Sequence, residues 1–414
     1  MQQQKKRKII NDPVYGFINL SHDILFDLIE HPYFQRLRRI KQLGLTHFVY
    51  PGANHSRFQH SIGATYLTQM ALNVLKSKSI DISPEEDEAA QIAILLHDIG
   101  HAPFSHTLEN VFIEGVNHET ISLKMMERLN VEFNGRLSLA IEIFTNRYHK
   151  RFLHRLVSGQ LDMDRLDYLR RDSFFTGVTE GVIGSDRIIK MLSVVDDHLV
   201  VEAKGIYSIE KFIVARRLMY WQVYLHKTVI SAEQLLIKIF KRAKYLAHSG
   251  VELFATPALK YFLYNADLVF SDNTEENILY NFSLLDDNDV MASIKSWMCA
   301  EDKTLSLLST FLTNRKLFKI EIAKSPVSND YLKSFCSDVM EKLGISENEL
   351  DYFVFSNEIS NNAYDWSNDK IDILYRNGEK LDITEASDIL DLKIISQLVK
   401  KHFICYPKPI LHNS

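Results

Sequence analysis

The sequence is poor in the residues that mark disulfide-rich, fibrous and low-complexity proteins. Its 414 residues include only three cysteines, nine prolines and 15 glycines. Three widely separated cysteines (Cys299, Cys336 and Cys405) predict neither a disulfide framework nor a zinc knuckle. The low glycine and proline contents exclude collagen-like and low-complexity fibres. With 46% hydrophobic residues, the chain is expected to be a globular protein with a large core.

Long apolar runs are also missing from the chain. Uninterrupted stretches such as residues 92–96 are far shorter than the roughly 18 residues that a membrane span requires. The start, MQQQKKRKII, has a basic cluster without an apolar segment, which argues against a secretory signal. We therefore expect a cytoplasmic protein with reduced thiols and no membrane partner.

An excess of basic residues is absent as well. The chain has 48 Lys and Arg against 53 Asp and Glu, a formal net charge of −5. This balance gives no support to broad nucleic-acid binding, which usually needs a basic face. It leaves a phosphate ligand open, because a pocket can be locally basic inside an acidic protein.

The larger, N-terminal part of the chain has mostly helical periodicity. It follows a short extended segment at 8–10, turn residues at 11–13 and a second extended segment at 16–20. Apolar residues then recur at helical spacing over residues 21–246. The exception is Met191–Glu202, where two aspartates between apolar runs predict a hairpin.

The pattern changes after about Arg315. Alternating and apolar runs predict strands at 317–322 and 352–355, a hairpin with an Asn-Gly turn at 372–381, and a helix at 389–400. We therefore predict a mainly α fold. It has a helical core over residues 1–314, with its site motifs within 50–175, and a smaller C-terminal α+β lobe over residues 315–414.

One helix has clear limits and ends at the dipeptide His97-Asp98. Ser83-Pro84-Glu85-Glu86 is a capping box with proline at the first helical position, and a glycine at position 100 marks the end. Adjacent side chains at a helix C-terminus can both reach an ion beyond it, and the helix dipole favours a cation there. His97 and Asp98 are therefore candidate metal ligands.

Two further candidate ligands lie on other helix faces. His60 has small or apolar residues at i+3, i+4 and i+7, and Asp164 shares a face with Tyr168 and Asp172. A lone histidine on an apolar face is more often a core histidine than a ligand, whereas an unpaired buried aspartate is costly. Two histidines and two aspartates together suit Mn, Fe, Mg or Zn, without selecting among them.

The order His60, His97-Asp98, Asp164 resembles the HD superfamily of metal-dependent phosphohydrolases. Longer strings resemble its deoxynucleoside triphosphate triphosphohydrolase branch, which includes the sterile-alpha-motif/HD enzyme of vertebrates. They are NDPVYGFINL, PYFQRLRRIKQLG, YPGANHSRFQHSIG, LLHDIGHAPFSH, LDMDRLDYLRRDS and YLHK. The resemblance covers residues 11–227 and only loosely the C-terminal lobe. It implies an HD-domain helical fold and one divalent metal ion held by these four residues, with further Mg accompanying a triphosphate.

The resemblance also implies a catalytic group beside the metal. Arg57, about one helical turn before His60, would clamp phosphate. In the family, the histidine that matches His106 is implicated in protonating the leaving group, and a nearby acid, here Glu109, holds it. Without the resemblance, the histidines after the HD pair would be interpreted as loop or surface residues. The implied catalytic set is His101, His106, Glu109 and His118.

A second implied set would bind the substrate. In the family, residues that match Tyr168 and Asp172 contact the sugar, and a tyrosine packed under the ring would leave no room for a 2′-hydroxyl. Arg165 replaces a lysine of the vertebrate enzyme and Tyr220 replaces a histidine, which changes the contacts there. The alternative is that these residues belong to the core or to solvated helix faces. The full set is Gln42, Arg57, Arg165, Tyr168, Asp172, Arg216, Tyr224 and Lys227.

A regulatory site is implied by the two N-terminal strings. In nucleotide-activated members of the family, residues there bind a guanine nucleotide at a subunit interface and promote tetramers. Glu30, Gln35 and Arg38 are the candidates, with Glu30 in place of an aspartate and Tyr15 and Phe17 in place of two histidines. The alternative is that FQRLRRIKQ is an amphipathic helix with a solvated basic face. The implied partners are deoxynucleoside triphosphates, a GTP or dNTP activator, and further copies of the chain in a dimer or tetramer.

Three functions are compatible with the sequence. The first is hydrolysis of dNTPs to deoxynucleoside and inorganic triphosphate. The second is hydrolysis of another nucleotide, such as a monophosphate, a cyclic nucleotide or a guanosine polyphosphate, in a branch not expected to share DRLDYLRRD and YPGANHSRFQH. The third is a nucleotide sensor or single-stranded nucleic-acid binder with weak catalysis, against which the intact ligand set and the histidines both argue.

Overall fold

The protein is mainly helical, as predicted. The computed structural model describes residues 9–266, 268–271, 273–361, 364, 369–388 and 398–408. Its helices are α1 (Asp23–Glu30), α2 (Pro32–Gln35), α3 (Arg57–Ser77), α4 (Pro84–Leu96), α5 (Glu109–Phe112), α6 (His118–Glu132), α7 (Ser138–Phe144), α8 (Arg151–Val157), α9 (Met163–Thr176), α10 (Ser185–Met191), α11 (Ile206–Met219), α12 (Lys227–His248), α13 (Pro257–Tyr264), α14 (Glu275–Leu284), α15 (Asp287–Trp297), α16 (Lys303–Thr313), α17 (Asn329–Lys333), α18 (Cys336–Leu343) and α19 (Ile383–Ala386). Within these ranges no helix has both the length and the apolar character needed to cross a membrane.

The strands form three small sheets. They are β1 (Ile10–Asp12), β2 (Gly16–Ile18), β3 (Leu192–Val195), β4 (His198–Glu202), β5 (Lys319–Ala323), β6 (Phe355–Asn361), β7 (Asp372–Leu374), β8 (Lys380–Asp382) and β9 (Val399–Tyr406). Their orders are β1-β2, β3-β4-β7-β8 and β5-β9-β6. Because β7 pairs in parallel with β4, one sheet joins the predicted C-terminal lobe to the predicted core. The division between residues 314 and 315 stays a prediction.

Three helices at the centre of the fold position the candidate metal ligands. α3 packs against both α4 and α9. The predicted start of α4 is confirmed: Ser83 Oγ accepts a hydrogen bond from the Glu86 N–H at 3.2 Å, and Glu86 accepts one from the Ser83 N–H at 2.8 Å. The helix ends at Leu96, directly before His97-Asp98 and four residues before Gly100. Residues 89–96 of α4 are all buried, as expected of a helix that is apolar on every side. The HD dipeptide is therefore held at the end of a core helix.

Gly63 lies where α3 meets side chains of α9. A Cβ added there would lie 2.1 Å from Asp167 Oδ1 and 2.2 Å from an Arg171 nitrogen. We expect Gly63→Ala to lower the free energy of unfolding by about 1–3 kcal/mol, because overpacking forces neighbouring groups to shift. Urea unfolding would measure this loss. Gly184→Ala is the matched control, since its added Cβ would meet nothing nearer than 3.9 Å; equal stabilities of the two variants would contradict the prediction.

The predicted hairpins form, and their turns have the expected backbone. β3 and β4 pair antiparallel, and the turn residues Asp196 and Asp197 have φ of 51° and 61°. β7 and β8 also pair antiparallel, with Gly378 of the Asn-Gly turn at φ 86°. The two-residue turn at Asp196-Asp197 needs positive φ at both positions, whereas the second hairpin has a three-residue loop, 376–378, closed by a hydrogen bond from the Tyr375 N–H to the Glu379 carbonyl, with Gly378 in the left-handed region.

The N-terminal extended segments also form a hairpin, with a shifted turn. β1 and β2 pair antiparallel, but the turn lies at residues 13–15 instead of 11–13. The Asp12 carboxylate accepts hydrogen bonds from the backbone N–H groups of Val14 and Tyr15 at 2.9 and 3.0 Å. These bonds stabilise a turn that lies two residues later than predicted. Residue 8 lies outside the described residues.

The predictions for the C-terminal segments are partly wrong. The strand predicted at 317–322 corresponds to β5, but residues 347–352 form a 3-10 helix that starts at a capping box on Ser346, so β6 begins only at Phe355. Of the helix predicted at 389–400, residues 389–397 lie outside the described residues. Val399 and Lys400 begin strand β9, which pairs with both β5 and β6, so pairing within the sheet outweighs local helical periodicity there.

Candidate active site

A cavity of about 930 Å³ opens at the C-terminal end of α4. Most residues predicted for the site line it: Gln42, Arg57, His97, Asp98, His101, His106, His118, Asp164, Arg165, Tyr168, Asp172, Arg216 and Tyr224. His60 is fully buried behind the lining, and Glu109 contacts the lining histidines. Lys227, the first residue of α12, is exposed and does not line the cavity.

The four predicted metal ligands converge from α3, the end of α4 and α9. Asp164 Oδ1 lies 3.0 Å from His60 Nε2 and 3.6 Å from His97 Nε2. Asp98 presents one oxygen to each ring, with Oδ1 3.3 Å from His97 Nε2 and Oδ2 3.6 Å from His60 Nε2. In the described chain both Nε2 atoms are buried without a well-formed hydrogen bond. Such ring nitrogens, facing two carboxylates, fit a divalent cation.

Hydrogen bonds behind the two histidines orient their rings. His60 Nδ1 donates to Asp167 Oδ2 at 2.7 Å, and His97 Nδ1 donates to the Ile94 carbonyl at 2.6 Å. With Nδ1 bound, each ring turns Nε2 towards the ligand cluster, as metal-binding histidines usually do. The structure therefore provides both candidate ligand atoms and the hydrogen bonds that orient the two histidine rings.

A buried ion-pair network supports His60. Asp167 accepts hydrogen bonds from Arg171 at 2.9 and 3.0 Å, and Arg171 also donates to Asp12 at 2.7 Å. Burial alone would raise the pKa of Asp167, but Arg171 and His60 hold this pKa below its usual value. Asp167 is thus an ionised carboxylate behind a ligand. Asp167 was not predicted as a site residue from the sequence, although it stands three residues after Asp164.

Arg57 connects the metal cluster to the rest of the cavity. Its guanidinium forms a buried ion pair with Asp98 and donates from Nε to Ser105 Oγ at 2.9 Å. Burial alone would raise the pKa of Asp98, but Arg57, His97 and His101 hold it well below its usual range. Asp98 therefore stays ionised. Burial, reinforced by the charge of Arg57, lowers the pKa of His101 well below its usual value.

Three histidine rings stand together beside this cluster. The ring centroids of His101 and His118 are 3.9 Å apart, and His106 lies 5.0 and 5.3 Å from them. Glu109 binds two of the rings, with Oε2 3.1 Å from His106 Nδ1 and Oε1 2.6 Å from His118 Nδ1. Burial would raise the pKa of Glu109, but these bonds hold it far below its usual value. One carboxylate thus orients both histidines, whereas the sequence suggested only its pairing with His106.

Two tyrosines and Asp172 form a further part of the cavity lining. Asp172 accepts hydrogen bonds from Tyr224 Oη and from His55 Nε2, both at 2.7 Å, and the rings of Tyr168 and Tyr224 are 6.2 Å apart. Burial raises the pKa values of both tyrosines, so both hydroxyls stay protonated. We name Tyr168, Asp172 and Tyr224 the sugar wall. His55 was not identified from the sequence, although it stands two residues before Arg57.

Gln160 holds two arginines of the cavity together. Its side-chain oxygen accepts from Arg165 at 3.3 Å and from Arg216 at 3.2 Å. Its backbone N–H donates to Asp369 of the C-terminal segment at 2.8 Å. The C-terminal segment therefore contacts the loop that orients two cavity cations. No sequence signal singled out Gln160, because it lies outside every motif of charged residues.

Two of the three predicted regulatory residues lie at a second cavity, of about 550 Å³, between the β1–β2 hairpin, α1 and α3. Glu30 and Arg38 line it, and the Arg38 guanidinium lies 3.5 Å from the centre of the Phe58 ring. Gln35 does not line this cavity; its side chain accepts a hydrogen bond from Arg38 at 2.8 Å and donates one to Ile29 at 2.7 Å.

Comparisons with known proteins agree with this geometry. The HD domain family matches residues 57–172, and the HD associated region matches residues 183–252. YwfO of Bacillus subtilis is 30% identical over 98% of this chain and 93% of its own length. A deoxynucleoside triphosphate triphosphohydrolase SAMHD1 homolog of Dictyostelium discoideum is 32% identical over 58% of this chain. The match covers only 50% of the length of that relative.

A solved structure gives the same result for the whole fold. The crystal structure of a phosphohydrolase from Bacteroides thetaiotaomicron is 56% identical, with a TM-score of 0.93, and covers 97% of this chain and 100% of its own. The HD domain match also spans all four candidate metal ligands. The chain therefore belongs to the HD-domain family of phosphohydrolases, as the sequence motifs predicted.

Proposed function

We propose that this protein is a metal-dependent hydrolase that cleaves deoxynucleoside triphosphates to deoxynucleoside and inorganic triphosphate. The observation that carries the proposal is a single cavity lined by metal-ligand candidates, three histidines, arginines and the sugar wall. A triphosphate needs cations for its charge, a proton donor for the departing oxygen and a surface for its sugar. Similarity to relatives named as dNTP triphosphohydrolases supports the choice of substrate.

The metal would be held by His60, His97, Asp98 and Asp164. A divalent ion there supplies Lewis-acid stabilisation and lowers the pKa of a bound water, and further Mg would accompany the triphosphate. Mn, Fe, Mg and Zn all suit this ligand set. Asp167 keeps the lone pair of His60 Nε2 available by accepting a hydrogen bond from the Nδ1–H group, which fixes the proton on Nδ1.

The chain's own residues would bind the phosphates and move the proton. Arg57, Arg165 and Arg216 bring fixed positive charge to the triphosphate. Glu109 accepts a hydrogen bond from the Nδ1–H group of His106. The proton that is transferred to the departing 5′-oxygen would therefore come from Nε2 of His106. The anion of Glu109 also stabilises the protonated ring before transfer. His101 and His118 steady the phosphates.

The sugar wall would select deoxyribose. Tyr168 is half-buried in the lining, and a ring packed under the sugar excludes a 2′-hydroxyl. We expect Tyr168→Ala to reduce the preference for dATP over ATP, measured as the ratio of kcat/KM values, by about tenfold or more. Tyr224→Phe is the control, since it removes the bond to Asp172 and keeps the ring. An unchanged ratio in Tyr168→Ala would contradict this role.

Product analysis tests the proposed reaction. Metal-stripped protein is resupplied with Mn or Mg and given each dNTP alone, and the products are separated by chromatography. Deoxynucleoside with inorganic triphosphate is the expected outcome. Pyrophosphate or single-phosphate release would identify a different hydrolase. No turnover of any dNTP would overturn the proposal and direct the same assay to nucleoside monophosphates, cyclic nucleotides and guanosine polyphosphates, and then to nucleotide binding without turnover.

Regulation by nucleotide is proposed for the second cavity. Glu30 would accept N–H groups of a guanine edge, and the stacked pair of Arg38 and Phe58 offers a flat cationic surface beside it. Turnover of one dNTP that requires GTP or a second dNTP would support this role, together with a nucleotide-dependent shift to a dimer or tetramer in light scattering. We also propose that the protein is located in the cytoplasm, together with its nucleotide substrates.

A further inference from the structure

One carboxyl group of the main cavity has no part in the mechanism above. Glu233 lies on α12 and lines the cavity, whose lining also includes Thr46, Thr107 and Leu225. The 3-10 helices Gly44–Phe48 and Ser105–Leu108 both pack against α12, so this part of the lining is built from three elements. We name Thr46, Thr107, Leu225 and Glu233 the α12 end of the cavity.

Glu233 differs from the other carboxylates of the lining. Asp98 and Asp164 face the metal cluster, Asp172 is held by His55 and Tyr224, and Glu119 is exposed in the first turn of α6. Over the described ranges no cation forms an ion pair with Glu233, and its protein partner is Thr107. Burial raises the pKa of Glu233 to about 7, with the bond to Thr107 acting in the opposite direction.

The chain connects the α12 end both to the sugar wall and to His106, which Thr107 directly follows. Leu225 directly follows Tyr224, and Thr46 lies four residues after Gln42, the residue expected near the 3′-hydroxyl. His106 would face the 5′-oxygen of the same sugar. With phosphates at the metal and the sugar on its wall, the base is the part of the substrate left to occupy the α12 end.

We propose that Glu233 determines the base preference of this enzyme by accepting N–H groups from the base edge. This inference rests on the proposed function. Guanine offers two adjacent donors, N1–H and the 2-amino group, which match the two oxygens of a carboxylate. Cytosine and adenine each offer one amino group. Thymine offers a single N–H between two carbonyl oxygens, which would face the carboxylate unfavourably.

The predicted order of kcat/KM is therefore dGTP first, dCTP and dATP next, and dTTP last. The half-buried position of Glu233 in the lining supports this discrimination, because a bound base that removes a carboxylate from water without offering matching donors is costly. Two N–H donors from guanine would also stabilise the ionised form of the group. Thr107 orients the carboxyl without neutralising it.

Steady-state kinetics with all four dNTPs test the inference. For Glu233→Gln, whose amide keeps the size of the side chain, we expect kcat/KM for dGTP to fall about 10- to 100-fold, with dTTP changed by less than about threefold. Glu127→Gln, an exposed change on α6, is the control and should leave all four values unchanged. Glu233→Asp, which keeps the charge but shortens the reach, should also reduce the dGTP preference and serves if Glu233→Gln does not fold.

The outcomes separate the two proposals. Wild-type protein without turnover of any dNTP overturns the proposed function and this inference with it. Turnover with the same dGTP to dTTP ratio in wild type and Glu233→Gln overturns only the role of Glu233. An equal loss for all four substrates also overturns it, because such a loss assigns Glu233 to the reaction or to the fold. Melting temperature and metal content of each variant identify loss of folding.

Discussion

His106→Ala should lower kcat for dNTP hydrolysis by about 10²- to 10⁴-fold, the usual contribution of a general acid. In the proposed reaction His106 carries the proton for the 5′-oxygen. Its side chain is 68% exposed, so truncation removes a functional group without opening a hole in the core. Nucleotide binding should persist, because the arginines and the sugar wall stay in place. Single-turnover kinetics for kcat and calorimetry for binding measure the two effects separately.

The control for this prediction is His149→Ala, which removes an exposed histidine from outside the cavity. It should leave kcat unchanged. Glu109→Gln should give a loss of the same sign, because a neutral amide stabilises protonated His106 less than a carboxylate does. Full activity of His106→Ala would assign the proton to another donor. If no variant or wild-type protein turns over while nucleotide still binds, the protein is a sensor.

Asp167→Asn should weaken metal binding about 10- to 100-fold, the effect typical of a lost partner behind a ligating histidine. Asp167 accepts from His60 Nδ1 at 2.7 Å, and an amide of the same size no longer holds this ring with a negative charge. Stability should also fall, because buried Arg171 loses one of the two carboxylates, Asp167 and Asp12, that pair with it among the described residues. Chelator competition measures the affinity, and urea unfolding measures the stability.

Asp27→Asn is the matched control, since this exposed aspartate of α1 lies away from the metal cluster. It should change neither metal affinity nor stability by more than a small amount. A normal metal affinity in Asp167→Asn, with normal stability, would show that His60 is oriented by packing alone. Lower stability with normal metal affinity would show that the ion pairs among Asp12, Arg171 and Asp167 stabilise the fold but do not affect metal binding.

Local features of the fold could be predicted from the sequence because short-range forces determine them. The start of α4 follows from the capping box at Ser83, whereas its end at Leu96 lies four residues before Gly100. The turns at Asp196-Asp197 and at Gly378 could be predicted because Asp and Gly adopt the positive φ that such turns need. The strand β9 was missed because its partners, β5 and β6, lie far from it along the chain, and no local pattern reports such pairing.

The sequence by itself determined which residues could serve the chemistry. Motif order placed histidines, aspartates and arginines within reach of one site, and most of them line a single cavity. Lys227, predicted to bind substrate, does not line this cavity, because α12 begins at this residue and leaves it exposed.

Only the tertiary structure decided how these residues are held and what else joins them. His55 contacts Asp172 across 117 residues, and His60 contacts Asp167 across 107. Glu233 reaches the cavity because α12 packs against two 3-10 helices that come from distant parts of the chain. Such contacts depend on helix packing over long sequence separations, where side-chain burial and ion pairing select partners that adjacent residues do not specify.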